Sequence, residues 1–371
     1  VLAGINKPAL NEAMPSQQET LIFIPDISGF TNFVNTTEIS HSRHIISELM
    51  EIIINSDISD MMVSEIEGDA VLFFRDHSLS LESLIQQCEI TYRNFHQHII
   101  KYDTERICRC GACENAAGLS LKFIIHAGPV EIISIKDHRK LHGTDVIKAH
   151  KLMKNSIEEN EYILISNTIK RDVDLSWDDN HKWVSFKAGI DHYEGLDSIE
   201  YEYIPLREVP IGKSSSSITF PQLSSQRITL ESKINAPVDV IYDYYTDFNK
   251  RVEWNEEIRE IILKNGNLNK SGSIHACLIG NNSLDIESIG RLEDEDRIIY
   301  GERLNKFRGL RDIINIFTFE KQGDVTILKV EIDYKIKSFL GKIMKPVVNS
   351  MLRKQTEKAM QKLKNVSEKN L

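Results

Sequence analysis

The sequence predicts an α+β protein of two domains. Three observations carry this. In the first half, apolar runs of strand length alternate with longer stretches of helical periodicity. Residues 207–226 hold Pro210, Gly212, the serine run Ser214-Ser215-Ser216-Ser217 and Pro221, with little periodicity, as a linker does. After them comes a series of short strand-like segments closed by one long helix. The 371 residues suffice for two cores. The expected layout is an arm at 1–18, a first domain at 19–206, a linker at 207–226 and a second domain at 227–367.

Residues 21–24 are continuously apolar, as in a strand buried on both faces. Pro25 cannot donate to a ladder and is expected to end that strand. Helical periodicity runs from Ser40, with Ile45, Leu49, Ile52 and Ile53 on one face. Residues 61–67 and 70–74 predict a hairpin with Gly68-Asp69 at its turn. A second helix is expected over 80–100, with Leu81, Leu84, Ile85, Cys88, Tyr92 and Phe95 inward, before an irregular stretch at 103–118. Strands are predicted at 119–126 and 130–135, punctuated by Gly128-Pro129. A helix at 145–155 and strands at 162–165, 183–186 and 199–204 complete a mainly antiparallel sheet with helices on one face. In the second domain a strand at 228–234 precedes a helix opened by Pro237. Strands follow near 258–263, 272–278, 284–292, 297–303, 313–321 and 325–336. The closing helix spans 339–366, with Pro346 as a bend.

The net charge of −10 argues against a dedicated nucleic-acid binder. No apolar run approaches the roughly 20 residues of a membrane span. The N-terminal 20 residues show no basic start followed by an apolar core, so no signal peptide is read. Five cysteines, an odd number, point to a reducing compartment, and the expected location is the cytoplasm. Cys108-x-Cys110-x-x-Cys113 therefore suggests Zn2+ before a disulfide. Cys88, His96, His98 or a second subunit could give the fourth ligand; three reduced loop cysteines are the plainer alternative. His126, in an apolar strand, reads as a core histidine.

Asp26 and Asp69 each stand beside a bend at the end of a strand-like run. If those strands are neighbours, both carboxylates face one point, and such a pair suits Mg2+ or Mn2+. Gly29 lets backbone N–H groups approach phosphate closely.

These residues carry a resemblance. Phe23-Ile24-Pro25-Asp26-Ile27-Ser28-Gly29-Phe30-Thr31 looks like the first metal motif of class III nucleotidyl (adenylate/guanylate) cyclases. Glu65-Ile66-Glu67-Gly68-Asp69-Ala70 resembles their second metal hairpin. Ile124-Ile125-His126-Ala127-Gly128-Pro129-Val130 and the stretch from Gly143 to Leu152 follow in the family's order. The chain also resembles a bacterial cyclase-like family that carries a cysteine cluster and a second domain of this kind. The resemblance implies a ferredoxin-like, cyclase-type domain that binds a purine nucleotide as a homodimer. It implies Asp26, Asp69 and the Ile27 carbonyl as ligands of Mg2+ or Mn2+. Backbone N–H groups of Ser28, Gly29, Phe30 and Thr31 would hold phosphate. Glu65 would read the base, as in the guanine type, while Lys140 at the other base-reading position fits neither type. Ile147 and Lys151 stand where the family has an Asn and an Arg. Ile cannot hydrogen-bond, and Lys keeps the charge without the two-pronged fork. Each loss costs on the order of 100-fold or more in rate.

From Arg227 to about Lys364 the chain resembles the START and polyketide-cyclase (SRPBCC) superfamily. The carriers are residues 228–234, Asn235-Ala236-Pro237, Asp247-Phe248 and Trp254-Asn255. The resemblance implies a helix-grip fold whose sheet wraps the last helix around a cavity for apolar or amphipathic molecules. His275 and Cys277 fall on one strand face and could turn inward. Glu302, Arg303 and Arg308 read as solvated surface before ligand-head contacts. The function expected is a signalling or sensor protein, with a degenerate metal- and nucleotide-binding domain coupled to a small-ligand domain. Two alternatives stay open. One is an active homodimeric purine nucleotide cyclase that releases pyrophosphate. The other makes the START-like domain the enzyme and the first domain its scaffold.

Overall fold

The computed structural model describes residues 19–37, 39–76, 79–109, 111–135, 138–169, 181–212, 218–264, 269–307, 310–336 and 343–369. It is an α+β structure whose chain divides into two compact units. The first takes 1–30, 46–97 and 118–212; the second takes 31–45, 98–117 and 213–371.

The first unit is built on β1 (Glu19–Ser28), β2 (Met62–Glu67), β3 (Ala70–Arg75), β4 (Ser120–Pro129), β7 (Tyr162–Ser166), β8 (Lys187–Asp191) and β9 (Ile199–Pro205). Their order is β2-β3-β1-β4-β7-β9-β8. Only the β4–β7 pair runs parallel; the rest of this sheet is antiparallel. A separate ribbon pairs β5 (Glu131–Ile135) with β6 (His138–His142), a strand the sequence does not announce. Helix α5 (Thr144–Leu152) lays Val146, Ala149 and Leu152 on a layer that contains Ile22, Ile24, Ile124 and Leu164. Alternation sends Phe23, Phe73 and Phe123 to the other face, where their rings pack 5.7–6.0 Å apart.

Pro25 does not end β1. The strand pairs with β4 from Glu19 to Ser28, Pro25 opposite Phe123. Pairing with β3 lapses between Phe23 and Asp26, so the missing N–H falls in a gap of that ladder. The strand expected at 183–186 is instead β8, displaced to Lys187–Asp191.

Helix α1 is Phe30–Thr36, α2 Ile39–Asn55, α3 Leu81–Glu105 and α4 Gly111–Asn115. The sequence places the cysteine-bearing loop with the first domain, but residues 98–117 group with the second unit. Ile107 is buried in the second unit's core, and its carbonyl accepts from the Tyr242 hydroxyl at 2.8 Å.

The second unit folds on β10 (Ile228–Ile234), β11 (Glu260–Leu263), β12 (Ile274–Ile279), β13 (Asn282–Glu293), β14 (Arg297–Phe307), β15 (Leu310–Gln322) and β16 (Val325–Ile336). The order is β10-β16-β15-β14-β13-β12-β11, antiparallel throughout. Along β16, Thr326, Leu328, Val330 and Ile332 are buried while their neighbours are not, as a half-buried strand requires. Pro237 caps α6 (Val238–Thr246). The Asp247 side chain accepts from the Asn249 and Lys250 amides and starts α7 (Phe248–Trp254). Helix α8 (Lys345–Lys369) buries Leu352, Met360 and Leu363. Pro346 lies in its first turn, where no N–H partner is needed; residues 339–342 of the expected helix lie outside the described residues.

Candidate functional site

The β1–β3 register sets Asp26 opposite Ala70, and the Ile27 amide donates to the Asp69 carbonyl at 2.8 Å. The two acidic residues are thus brought together at one end of neighbouring strands. Asp26 is buried and Asp69 half-buried. Lys122, directly across from Asp26 on β4, puts its ammonium 3.1 Å from the carboxylate and also donates to the Met153 carbonyl. Sequence reasoning missed this cation, because only strand register reveals it. Burial is the largest influence on Asp26 and opposes its ionisation. The Lys122 charge and hydrogen bond favour it, the Asp69 charge opposes it, and the carboxyl ends above its usual range.

Ser28 ends β1, Gly29 has φ +87°, and Phe30 and Thr31 open α1. Glu65 lies on β2 with its side chain 16 % exposed, and Lys140 on β6 binds it at 2.8 Å. The two residues that the cyclase resemblance would set at the base are therefore paired with each other. Ligating atoms of Glu65, Glu67 and His150 lie within 4.8 Å of one another in the same corner. On α5, Ile147 is 52 % exposed and Lys151 is exposed.

His126 is a satisfied core histidine. Its ring nitrogens meet the Ser166 hydroxyl at 2.8 Å and the Asp145 carboxylate at 3.1 Å. Asp145 also binds Lys148 at 2.9 Å. The network ties the start of α5 to the sheet, and burial pushes the His126 pKa down. In the cysteine cluster, Cys110 and the Cys113 side chain lie outside the described residues, while Cys108 is half-buried. Of the suggested fourth ligands, Cys88 is buried and His96 is held by Glu161 at 2.7 Å.

In the second unit a cavity of about 610 Å³ lies among the sheet, α7 and α8, lined by Trp254, Ile258, Leu284, Phe317, Leu352 and Met360 among others. Arg251, Glu302, Tyr245 and Cys277 also line it. Glu302 is therefore not surface: it is 1 % exposed and binds Arg251 at 2.5 Å. Arg251 is the partner the sequence did not single out, 51 residues away. Burial opposes the charge on Glu302, but Arg251 outweighs it and holds the carboxyl below its usual range. Arg303 is half-buried and pairs with Glu287 at 3.6 Å; Arg308 lies outside the described residues. His275 and Cys277 both turn inward and are buried. Among the described residues no helix is long and apolar enough to cross a membrane.

Comparison with known proteins gives two family matches on this chain. Residues 225–368 match the family described as polyketide cyclase / dehydrase and lipid transport. The second half is thus similar to that family. Residues 46–162 match a family described as a protein of unknown function (DUF2652). An uncharacterized protein of Mycobacterium tuberculosis is 29 % identical over 133 residues, 35 % of this chain and 61 % of that protein. The match thus spans less than two thirds of that relative. Among solved structures, a START superfamily protein from Mycobacterium smegmatis is similar at 17 % identity and a TM-score of 0.31, over 39 % of this chain and 99 % of that one. A bacterial light-regulated adenylyl cyclase is similar at 15 % identity and a TM-score of 0.35, over 51 % of this chain and 91 % of that one.

Proposed function

We propose that the chain is a sensor. Its second unit holds a small apolar or amphipathic molecule. Its first unit is a cyclase-like domain that keeps a metal and nucleotide site without cyclising efficiently. One observation carries the reading. Asp26 and Asp69 stand at the same end of neighbouring strands, while α5 presents exposed Ile147 and Lys151 where the cyclase resemblance needs groups that orient ribose and stabilise the transition state. The Glu65–Lys140 pair supports it, since Lys140 occupies one oxygen of the carboxylate that the resemblance gives to the base.

The donors suit a hard divalent cation. Lys122 can balance only one of two carboxylates, and the Asp69 charge works against ionisation of Asp26. Asp26, Asp69 and the Ile27 carbonyl would hold Mg2+ or Mn2+, which when bound would neutralise phosphate charge. The backbone from Ser28 to Thr31 would face the phosphates of a purine nucleotide. A homodimer belongs to the same reading, because the cyclase resemblance implies a site shared by two copies. Zn2+ at Cys108, Cys110 and Cys113 is a separate part, checked by metal analysis before and after their replacement by Ser.

The test is thermal denaturation with Mn2+, alone and with GTP or ATP, beside an assay for pyrophosphate. The expected result is a stabilisation by Mn2+ that Asp26→Asn abolishes, and no cyclic product. Product formation that depends on Asp26 would establish the active-cyclase alternative instead. Absence of any Mn2+ effect would refute the metal site.

A further inference from the structure

The cavity of the second unit has a polar end whose bonding is incomplete. Glu302 is fully engaged: one oxygen takes Arg251 at 2.5 Å and the Tyr300 hydroxyl at 3.1 Å. The other takes Arg251 at 3.3 Å and the Tyr245 hydroxyl at 3.4 Å. Tyr300 also meets the Ser288 hydroxyl at 3.0 Å, which donates on to Asn269 at 2.7 Å. Arg251 is not fully engaged. Its side chain is 7 % exposed, and its Nε–H is buried with no partner. His275 is 0 % exposed, and neither ring nitrogen has a partner. Its ring packs 4.4 Å from that of Phe248, which lies three residues before Arg251 on α7. One helical turn therefore carries both the open guanidinium and the ring against which the open imidazole lies. Interior polar groups are rarely left without partners, so the open Nε–H of Arg251, which lines the cavity, calls for an occupant.

We infer that this end of the cavity receives the neutral oxygen head, a hydroxyl or carbonyl, of an amphipathic ligand whose apolar body lies along Ile258, Leu284 and Phe317. This rests on reading the second unit as a ligand-binding domain and adds the chemistry of the ligand's head. The argument is charge balance. Arg251 and Glu302 already cancel, so a carboxylate or ammonium head would enter a dry site as an unpaired charge. A hydroxyl or carbonyl oxygen can accept from Arg251 Nε–H. Burial pushes the His275 pKa down to about 4, so the imidazole is neutral at pH 7 and offers one donor and one acceptor.

The experiment uses the full chain at pH 7.5 with Nile red as an apolar probe. It is displaced by four compounds of one chain length: 1-dodecanol, 2-dodecanone, dodecanoate and dodecylammonium. The alcohol and ketone are expected to displace the dye at concentrations at least about tenfold lower than either ion. Equal or stronger displacement by an ion overturns the inference, while dye binding leaves the ligand-binding domain standing. If neither dye nor any chain compound binds, both readings fall. Glu302→Gln leaves the Arg251 charge unbalanced and is expected to swing the preference to dodecanoate. A folded Glu302→Gln with unchanged preference also overturns it, and the native series decides if that variant does not fold.

Discussion

Removing Arg251 alone would leave the Glu302 carboxylate buried against Tyr245 and Tyr300 with no cation. Arg251→Met is therefore expected to lower the unfolding free energy by about 3–5 kcal/mol, read by urea denaturation at pH 7.5. Replacing both partners, Arg251→Met with Glu302→Leu, should recover most of that loss, since no orphaned charge remains. A double variant as weak as the single would show that packing, and not charge, sets the cost. His275 brings a pH dependence of its own. Its pKa is about 4 in the folded chain against 6.5 unfolded, because burial resists the imidazolium. Between those values the unfolded chain binds the proton and the folded chain does not. Stability is therefore full above pH 6.5 and is lost as pH falls towards 4, by roughly 3 kcal/mol across the window. His275→Phe should flatten this slope. Urea midpoints of the two proteins at pH 7.5 and 4.5 check it, and parallel losses would refute the assignment.

At the scale of elements, α5 depends on a close approach that only glycine allows. A Cβ on Gly128 of β4 would stand 2.4 Å from Asp145 Cγ, at the start of that helix. Gly128→Ala is expected to cost about 1–3 kcal/mol by thermal denaturation. Gly118→Ala, where nothing lies within 4 Å, should leave the midpoint unchanged. This contrast also shows what the sequence could tell. It marks Gly128-Pro129 as a break, yet β4 runs through to Pro129; Pro25 likewise sits inside β1. Local chemistry reports that a residue is unusual, but not whether it ends a strand or admits a neighbour. The hairpin around Gly68-Asp69 and the strand at 325–336 were legible because period and turn chemistry are local. So was the Asp26–Asp69 meeting, through its ordered motifs. Lys122 and Arg251 were not, because each gains meaning from a partner set by register or packing. Glu302 on β14 reads as surface beside charged Arg303 and becomes interior only when Arg251 on α7 reaches it.

For the whole molecule, a sensor requires that occupancy of one unit change the other, and the chain itself connects them. Helices α2 and α3 each give residues to both units: α2 through 39–45 and 46–55, α3 through 81–97 and 98–105. A ligand that orders the second unit also acts on segments continuous with the first, so the two sites are expected to be coupled. Coupling of binding is reciprocal, and ordinary values of 1–3 kcal/mol correspond to roughly 5–150-fold in affinity. Saturating 1-dodecanol is therefore expected to change the Mn2+ affinity of the intact chain by at least about fivefold, measured by calorimetry. Mn2+ should change the affinity for the alcohol by the same factor, which guards against the alcohol acting as a solvent. Asp26→Asn should remove the metal arm while leaving alcohol binding at its metal-free value. Equal Mn2+ affinities with and without the alcohol, in protein shown to bind both, would leave two independent binding domains on one chain and end the sensor reading.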